Sequence, residues 1–224
     1  MAYSQEIEDQ YMQVVKKYDK EELDLFAKLL TMVVNGLDGS VCDFLGELYM
    51  SLELGIIGQG SFLRPWPVSK LMAFITYSDQ LKAIEGDFIT LSDPAAGAGC
   101  MPMAFAEIMR EQGHNPQKRL WVQCWDIDST AAGMCYIQLA LLHIPAEVVI
   151  GNSLTLEVRR VMRTPAHYLG MWDEKLRQYE QNQDDLAASR ALMDLVETPQ
   201  KPQPQPTLIK TNFDITGEQI EFNL

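Results

Sequence analysis

The chain is short of metal ligands, paired cysteines, basic charge and long apolar runs, and each shortage removes a class of function. Its four cysteines, Cys42, Cys100, Cys124 and Cys135, are scattered with no Cys-x-x-Cys pair. They read as buried free thiols in a reducing cytosol, which sets aside a disulfide framework and a zinc site. Only His114, His143 and His167 stand beside them, so metal catalysis has little to work with and no metal is expected. No apolar run approaches the ~20 residues of a membrane-spanning helix. The opening residues, Met-Ala-Tyr-Ser-Gln-Glu-Ile-Glu-Asp, are acidic and polar, unlike a secretory signal. A cytoplasmic location without membrane contact is the expectation. Positive charge is the scarcest commodity: 18 Lys and Arg face 31 Asp and Glu, a net charge of −13 over 224 residues. A protein that grips DNA unaided carries a basic footprint. Here residues 1–50 hold ten acidic residues against four basic ones. Three readings stay open: an acidic surface that serves solubility, DNA contacts supplied by a partner, or an acidic face that imitates DNA.

What is present is enough apolar content, 47% of residues, to bury a core in one domain with extensions. The stretch Phe88 to Gly99 organises the rest. Phe88 to Leu91 has the length and β-branching of a buried strand. Asp93-Pro94 cuts it off, and Gly97 and Gly99 open an apolar helix from Met101 to Gln112. Glycines let a backbone approach a ligand closely, and a helix start offers unpaired N–H groups. A second strand, Leu120 to Trp125, ends in Asp126-Ile127-Asp128. Nucleotide-binding folds put a ribose-gripping carboxylate at that distance from the glycines. After a helix from Ser129 to His143 comes a third strand, Ala146 to Ile150, ending in Gly151-Asn152-Ser153-Leu154. Strands alternating with helices predict an α/β fold with a parallel sheet and right-handed crossovers. Ligands in such sheets sit beyond the carboxyl ends of the strands. Asp93, Asp126 and Asn152 should therefore converge.

Ahead of this core, residues 4–17, 20–36 and 41–54 read as helices, the second ending at Gly36 to Ser40. Simple packing against the sheet is the plain expectation for that block. Gly58 to Pro67 is a loop stiffened by Pro65 and Pro67 that feeds a helix over residues 68–84. Its aromatics, Phe62 and Trp66, are either a plug against the sheet edge or a lid over a ligand. Behind the core, Thr155 to Arg163 reads as a short helix and Ala166 to Val196 as one or two helices. Pro199 to Pro206 is a polyproline-like linker, and Thr207 to Leu224 alternates like a β-hairpin that could join a sheet edge. No internal repeat is evident.

Taken together these motifs resemble the N6-adenine DNA methyltransferases, especially the modification subunits of type I restriction systems. The residues that carry the resemblance are Asp43-Phe44-Leu45-Gly46-Glu47-Leu48-Tyr49 and Gly60-Ser61-Phe62-Leu63-Arg64-Pro65, then Asp93-Pro94-Ala95-Ala96-Gly97-Ala98-Gly99, Trp125-Asp126-Ile127-Asp128 and Gly151-Asn152-Ser153-Leu154. They stand in family order over residues 40–155. The resemblance implies a partial Rossmann-like S-adenosylmethionine-dependent methyltransferase fold over residues 58–165. A helical region over 1–57 precedes it; a helical extension over 166–198, the linker 199–206 and the tail 207–224 follow. It implies S-adenosylmethionine as cofactor, held by Asp93, Pro94, Ala95, Gly97 and Gly99 around its methionine part. Asp126 would take the ribose hydroxyls, Ile127 and Asn152 the adenine, and Phe62 and Pro65 would close over the methionine end. From the residues alone, the other readings are a helix cap for Asp126 and an ordinary turn for Gly-Asn-Ser.

One part of the family pattern is missing. Adenine N6 transfer uses an Asn/Asp-Pro-Pro-Phe/Tyr segment that accepts hydrogen bonds from the target amino group and stacks on the flipped base. This sequence has none. Asn115-Pro116-Gln117 reads as a turn. Arg163-Thr164-Pro165-Ala166-His167-Tyr168 falls near the right place, which makes His167 and Tyr168 the substitutes to consider. The resemblance thus implies a cofactor-binding relative of DNA adenine methyltransferases that meets DNA through a partner subunit. The alternative is a non-catalytic module bound to a restriction–modification or other protein, with an anti-restriction role for its acidic surface.

Overall fold

The computed structural model describes residues 5–38, 41–52, 65–81 and 88–197, in two units, Met1–Gln178 and Tyr179–Leu224. Most of the Gly58–Pro67 loop with Phe62, the Pro199–Pro206 linker and the Thr207–Leu224 tail lie outside the described residues. Four helices come first: α1 (Gln5–Val15), α2 (Lys20–Asp38), α3 (Phe44–Ser51) and α4 (Trp66–Leu81). The core follows as β1 (Ile89–Asp93), α5 (Cys100–Glu111), α6 (Pro116–Arg119), β2 (Leu120–Asp126), α7 (Ser129–Leu141) and β3 (Ala146–Asn152). Then come β4 (Glu157–Arg163), α8 (Pro165–Leu169) and α9 (Trp172–Glu197), whose last residues are the described part of the second unit.

The architecture is mixed α/β with one four-stranded sheet in the order β1-β2-β3-β4. β1, β2 and β3 run parallel, as their alternation with helices requires. Side chains alternate faces along a strand, so Leu120, Val122 and Cys124 share a face with Ala146, Val148 and Ile150, and all six are buried. Met103, Phe105 and Met109 of α5 and Ala132, Cys135 and Leu139 of α7 complete that core. α4 packs outside α5, where the Tyr77 ring meets Phe105 edge-on at 5.2 Å. Burial there pushes the Tyr77 hydroxyl up to about 12. On the opposite face, Trp121, Gln123, Trp125 and Glu147 are only half-buried.

Three expectations need correcting. Thr155 to Arg163 is not a helix: Glu157–Arg163 is β4, antiparallel to β3. Its apolar residues, Val158, Val161 and Met162, fall three and four apart and imitate a helical face, but a tight turn delivers the segment to the free edge of β3. The irregularity at Gly151 makes that possible, since a Cβ there would lie 2.2 Å from the Glu157 carbonyl oxygen. Next, α2 runs through Gly36 to Asp38 rather than breaking. Glycine serves there to admit the Phe44 ring, which would stand 2.6 Å from a Cβ. Last, the helical block does not simply pack on the sheet, because most apolar side chains of α1 and α2 face solvent.

β3 and α8 are joined by a buried hydroxyl. Thr164 Oγ1 donates to the Ile144 carbonyl (2.8 Å) and accepts from the Ala146 N–H (2.9 Å). Thr164→Val keeps the shape and strands both backbone groups. Chemical denaturation should report a loss of about 1–3 kcal/mol.

Candidate functional site

The tips of β1, β2 and β3 advance in steps. Asp93 pairs in register with Cys124, and Asp126 with Ile150, so each tip stands two residues beyond the last. At ~3.3 Å per residue each step is ~7 Å, and the even spacing puts Asp93, Asp126 and Asn152 on one face of the sheet. The glycine turn folds over the second tip. Ala96 N–H donates to the Trp125 carbonyl (2.9 Å), and Gly97 N–H donates to Asp126 Oδ2 (2.8 Å). Gly97 and Gly99 both have left-handed φ, 57° and 92°, which only glycine adopts without strain. Gly99 is further confined because a Cβ would stand 2.9 Å from Cys135 Sγ.

Asp126 is not a helix cap. Its Oδ1 accepts from the Asp128 N–H (2.9 Å), while Asp128 caps α7 by accepting from the Thr130 N–H (2.8 Å). The second aspartate thus takes the structural duty and leaves Asp126 at the glycine turn. Asp93 is 7% exposed; its Oδ1 accepts from the Ala95 N–H (3.2 Å). Its Oδ2 is buried and finds no hydrogen-bond partner among the described residues. A buried acceptor left bare in this way is costly. Ile127 is 63% exposed beside Asp126, and its carbonyl receives the Arg159 guanidinium from β4. Pro94 and Ala95 are exposed on the turn, and Pro65 is exposed just ahead of α4.

Asn152 does the work of a turn: its Oδ1 accepts from the Leu154 N–H (3.0 Å) and the Thr155 N–H (3.3 Å), bending the chain into β4. Asp93, Pro94, Ala95, Gly97, Gly99, Asp126 and Ile127 thus form one neighbourhood, with Asn152 on the adjoining strand. His167 and Tyr168 do not join it. The buried His167 accepts through Nδ1 from Trp121 Nε1–H (3.1 Å), and its Nε2 lies 3.2 Å from Asp173 Oδ1. The tryptophan bond fixes the neutral ring's proton on Nε2. Trp121 is five residues before Asp126, so this cluster sits ~16 Å from the tips, at the other end of the sheet.

One residue, unmarked by any motif, ties the glycine turn to the helical block. Gln138 of α7 is buried and fully engaged. Its Nε2 donates to Asp43 Oδ1 (2.9 Å) and to the Ala98 carbonyl (2.8 Å), and its Oε1 accepts from the Leu45 N–H (2.9 Å). Asp43 caps α3 through the Gly46 N–H (3.0 Å). Gly46 must lack a side chain because its Cβ would stand 2.2 Å from Asp43 Oδ2. Burial raises the Asp43 carboxyl above its usual range despite these hydrogen bonds. A glutamine among the apolar residues of α7 was the available signal. Behind the turn, a hydrogen bond to Cys135, followed by burial, holds the Cys124 thiol well above the ordinary thiol range.

No family model matches the chain, and no curated protein matches it. Among solved structures it is similar to the crystal structure of the type I restriction-modification system methyltransferase subunit from Streptococcus thermophilus. The identity is 23%, over 49% of this chain and 22% of that one, with a TM-score of 0.36. The chain thus spans about a fifth of that subunit's length, and a likeness so partial establishes no family.

Proposed function

We propose that the chain binds S-adenosylmethionine at the tips of β1, β2 and β3, as a relative of the N6-adenine DNA methyltransferases, and does not by itself methylate adenine. The observation that carries this is the Gly97–Asp126 hydrogen bond, which brings the glycine turn and the acidic tip into one place. The surrounding residues fit the cofactor. The bare Asp93 Oδ2 is suited to the ammonium of the methionine part, a charge-assisted bond that would satisfy it. An ionised carboxylate has lone pairs to spare after two backbone bonds, so Asp126 can still receive the ribose hydroxyls. Exposed Ile127 offers an apolar surface for the adenine ring, with Asn152 on the adjoining strand.

Transfer is a separate matter. The sequence contains no acceptor segment for the target amino group, and positioning is most of what such catalysis consists of. His167 is committed to Trp121, which favours a packing role for it over a catalytic one. DNA would then be met through a partner subunit, in keeping with the net charge of −13.

Isothermal titration of the full chain with S-adenosylmethionine and with its demethylated product should show saturable binding of both. Radiolabelled methyl transfer to adenine-containing duplex should be absent. No binding of either ligand would end the cofactor reading; robust labelling of adenine would overturn the non-catalytic half.

A further inference from the structure

A cavity of about 430 Å³ opens at the amino ends of β2 and β3, the end of the sheet away from the tips. Val41 ahead of α3, Ala106 of α5, and Leu142 and Ile144 between α7 and β3 give it an apolar floor, with Ala106 and Ile144 buried. Arg110 of α5 and His114, Asn115 and Gln117 of the loop into α6 line it as well. His114 is half-buried and the other three are exposed, so they form a polar rim. An apolar lining with a few placed polar groups, at this volume, is the usual make-up of a small-molecule site.

The rim is held in place, and what it offers is mainly hydrogen-bond donors. Gly113, at a left-handed φ of 82°, turns the chain back at the end of α5. The Gly113 and His114 N–H groups donate to the Arg110 (3.0 Å) and Met109 (2.9 Å) carbonyls. That sets the His114 ring edge-on to Tyr77, centroids 6.4 Å apart, with Nδ1 3.4 Å from Arg119 Nη1. Arginine can only donate, so Nδ1 accepts and the neutral ring carries its proton on Nε2. Asn115 Oδ1 accepts from the Gln117 N–H (2.9 Å), which leaves the amide NH2 to offer. Arg110 spends Nη2 on Glu107 (3.1 Å) and keeps its other N–H groups. Lys118 and Arg119 on α6 add positive charge. A cation would meet donors and like charge here, and an uncharged hydrocarbon would leave the donors unused. We propose that this cavity binds a small apolar carboxylic acid in its ionised form, its hydrocarbon on the floor and its carboxylate at Arg110 and His114. None of these residues belongs to the site at the strand tips, so the two readings stand independently.

The test titrates the full chain with cyclohexanecarboxylate, its carboxamide and cyclohexylmethylammonium, which share a ring and differ in charge. The NMR signals of the His114 ring report binding and its place together. They should shift saturably with the carboxylate, at a Kd of roughly 1 mM or tighter. The carboxamide should bind about tenfold more weakly, for want of a charge-assisted hydrogen bond, and the ammonium should leave the signals where they are. Arg110→Gln should weaken the carboxylate about tenfold and the carboxamide hardly at all. Val41→Trp should fill the floor and abolish binding of both. The Arg110 side chain is 59% exposed, so its glutamine variant decides the matter on a folded chain even if the tryptophan is not tolerated. Carboxamide or ammonium binding as tight as that of the carboxylate overturns the proposal. So do His114 signals that stay still under the carboxylate, an Arg110→Gln chain that loses both ligands equally, and carboxylate binding that survives in folded Val41→Trp.

Discussion

Replacing Asp126 with alanine is expected to weaken S-adenosylmethionine binding roughly 10- to 100-fold, the effect of losing a charge-assisted hydrogen bond worth about 1.5–3 kcal/mol. Two losses coincide in this variant. In the proposed site the ribose hydroxyls would lose their acceptor, and the Gly97 N–H loses the partner that holds the turn over β2. The neighbouring Asp128 separates this from general loosening. Asp128→Ala removes the α7 cap and should cost about 1 kcal/mol of stability, with affinity nearly unchanged. Titration calorimetry on both variants, beside their denaturation curves, tests the assignment. If the two weaken binding equally, the effect travels through α7, and Asp126 is no ligand-binding residue.

The parts of this arrangement that local pattern dictates were legible in the sequence. β1, β2 and β3 are short apolar runs cut off by Asp-Pro, Asp-Ile-Asp and Gly-Asn, and parallel pairing puts those ends side by side. The placing of the tips Asp93, Asp126 and Asn152 follows from that topology without any knowledge of packing. What pattern could not supply was the partner of each surface. Val158, Val161 and Met162 have helical spacing, and only the vacant edge of β3 makes their segment a strand. Gly36 looks like a stop until Phe44 is placed against it. Apolar α2 invites burial against the sheet, yet its surface is left open. In sequence Gln138 is one polar residue on an apolar helix, while its three partners come from α3, its cap and the glycine turn, up to 95 residues away.

Those three partners tie Gln138 to both α3 and the glycine turn, and Gln138→Leu is expected to cost roughly 2–6 kcal/mol. Leucine fills the space but leaves the Leu45 N–H and the Ala98 carbonyl unpaired and takes one donor from Asp43, at about 1–3 kcal/mol for each stranded buried group. Typical domains have only 5–15 kcal/mol in hand, so urea denaturation should show a large drop. A loss under 1 kcal/mol would mean that solvent reaches these groups. The sign of the pH dependence gives a second, independent check on the same network. Burial raises the Asp43 carboxyl above its ordinary 3.8, so the folded chain holds that proton more firmly than the unfolded one. Between 3.8 and the raised value, Asp43 therefore makes stability fall as pH rises, because the folded state carries more protons than the unfolded. Asp43→Asn retains an acceptor for the Gly46 N–H and for Gln138 but cannot ionise. Its stability relative to the unsubstituted chain should climb as pH increases from about 4 towards neutrality, then level off once Asp43 is ionised in both states. Asp43→Ala forfeits the α3 cap as well and should be less stable than the asparagine variant throughout. A stability difference between chain and asparagine variant that stays flat with pH would show that Asp43 meets water, and that Gln138 is not holding a buried carboxylate to the glycine turn.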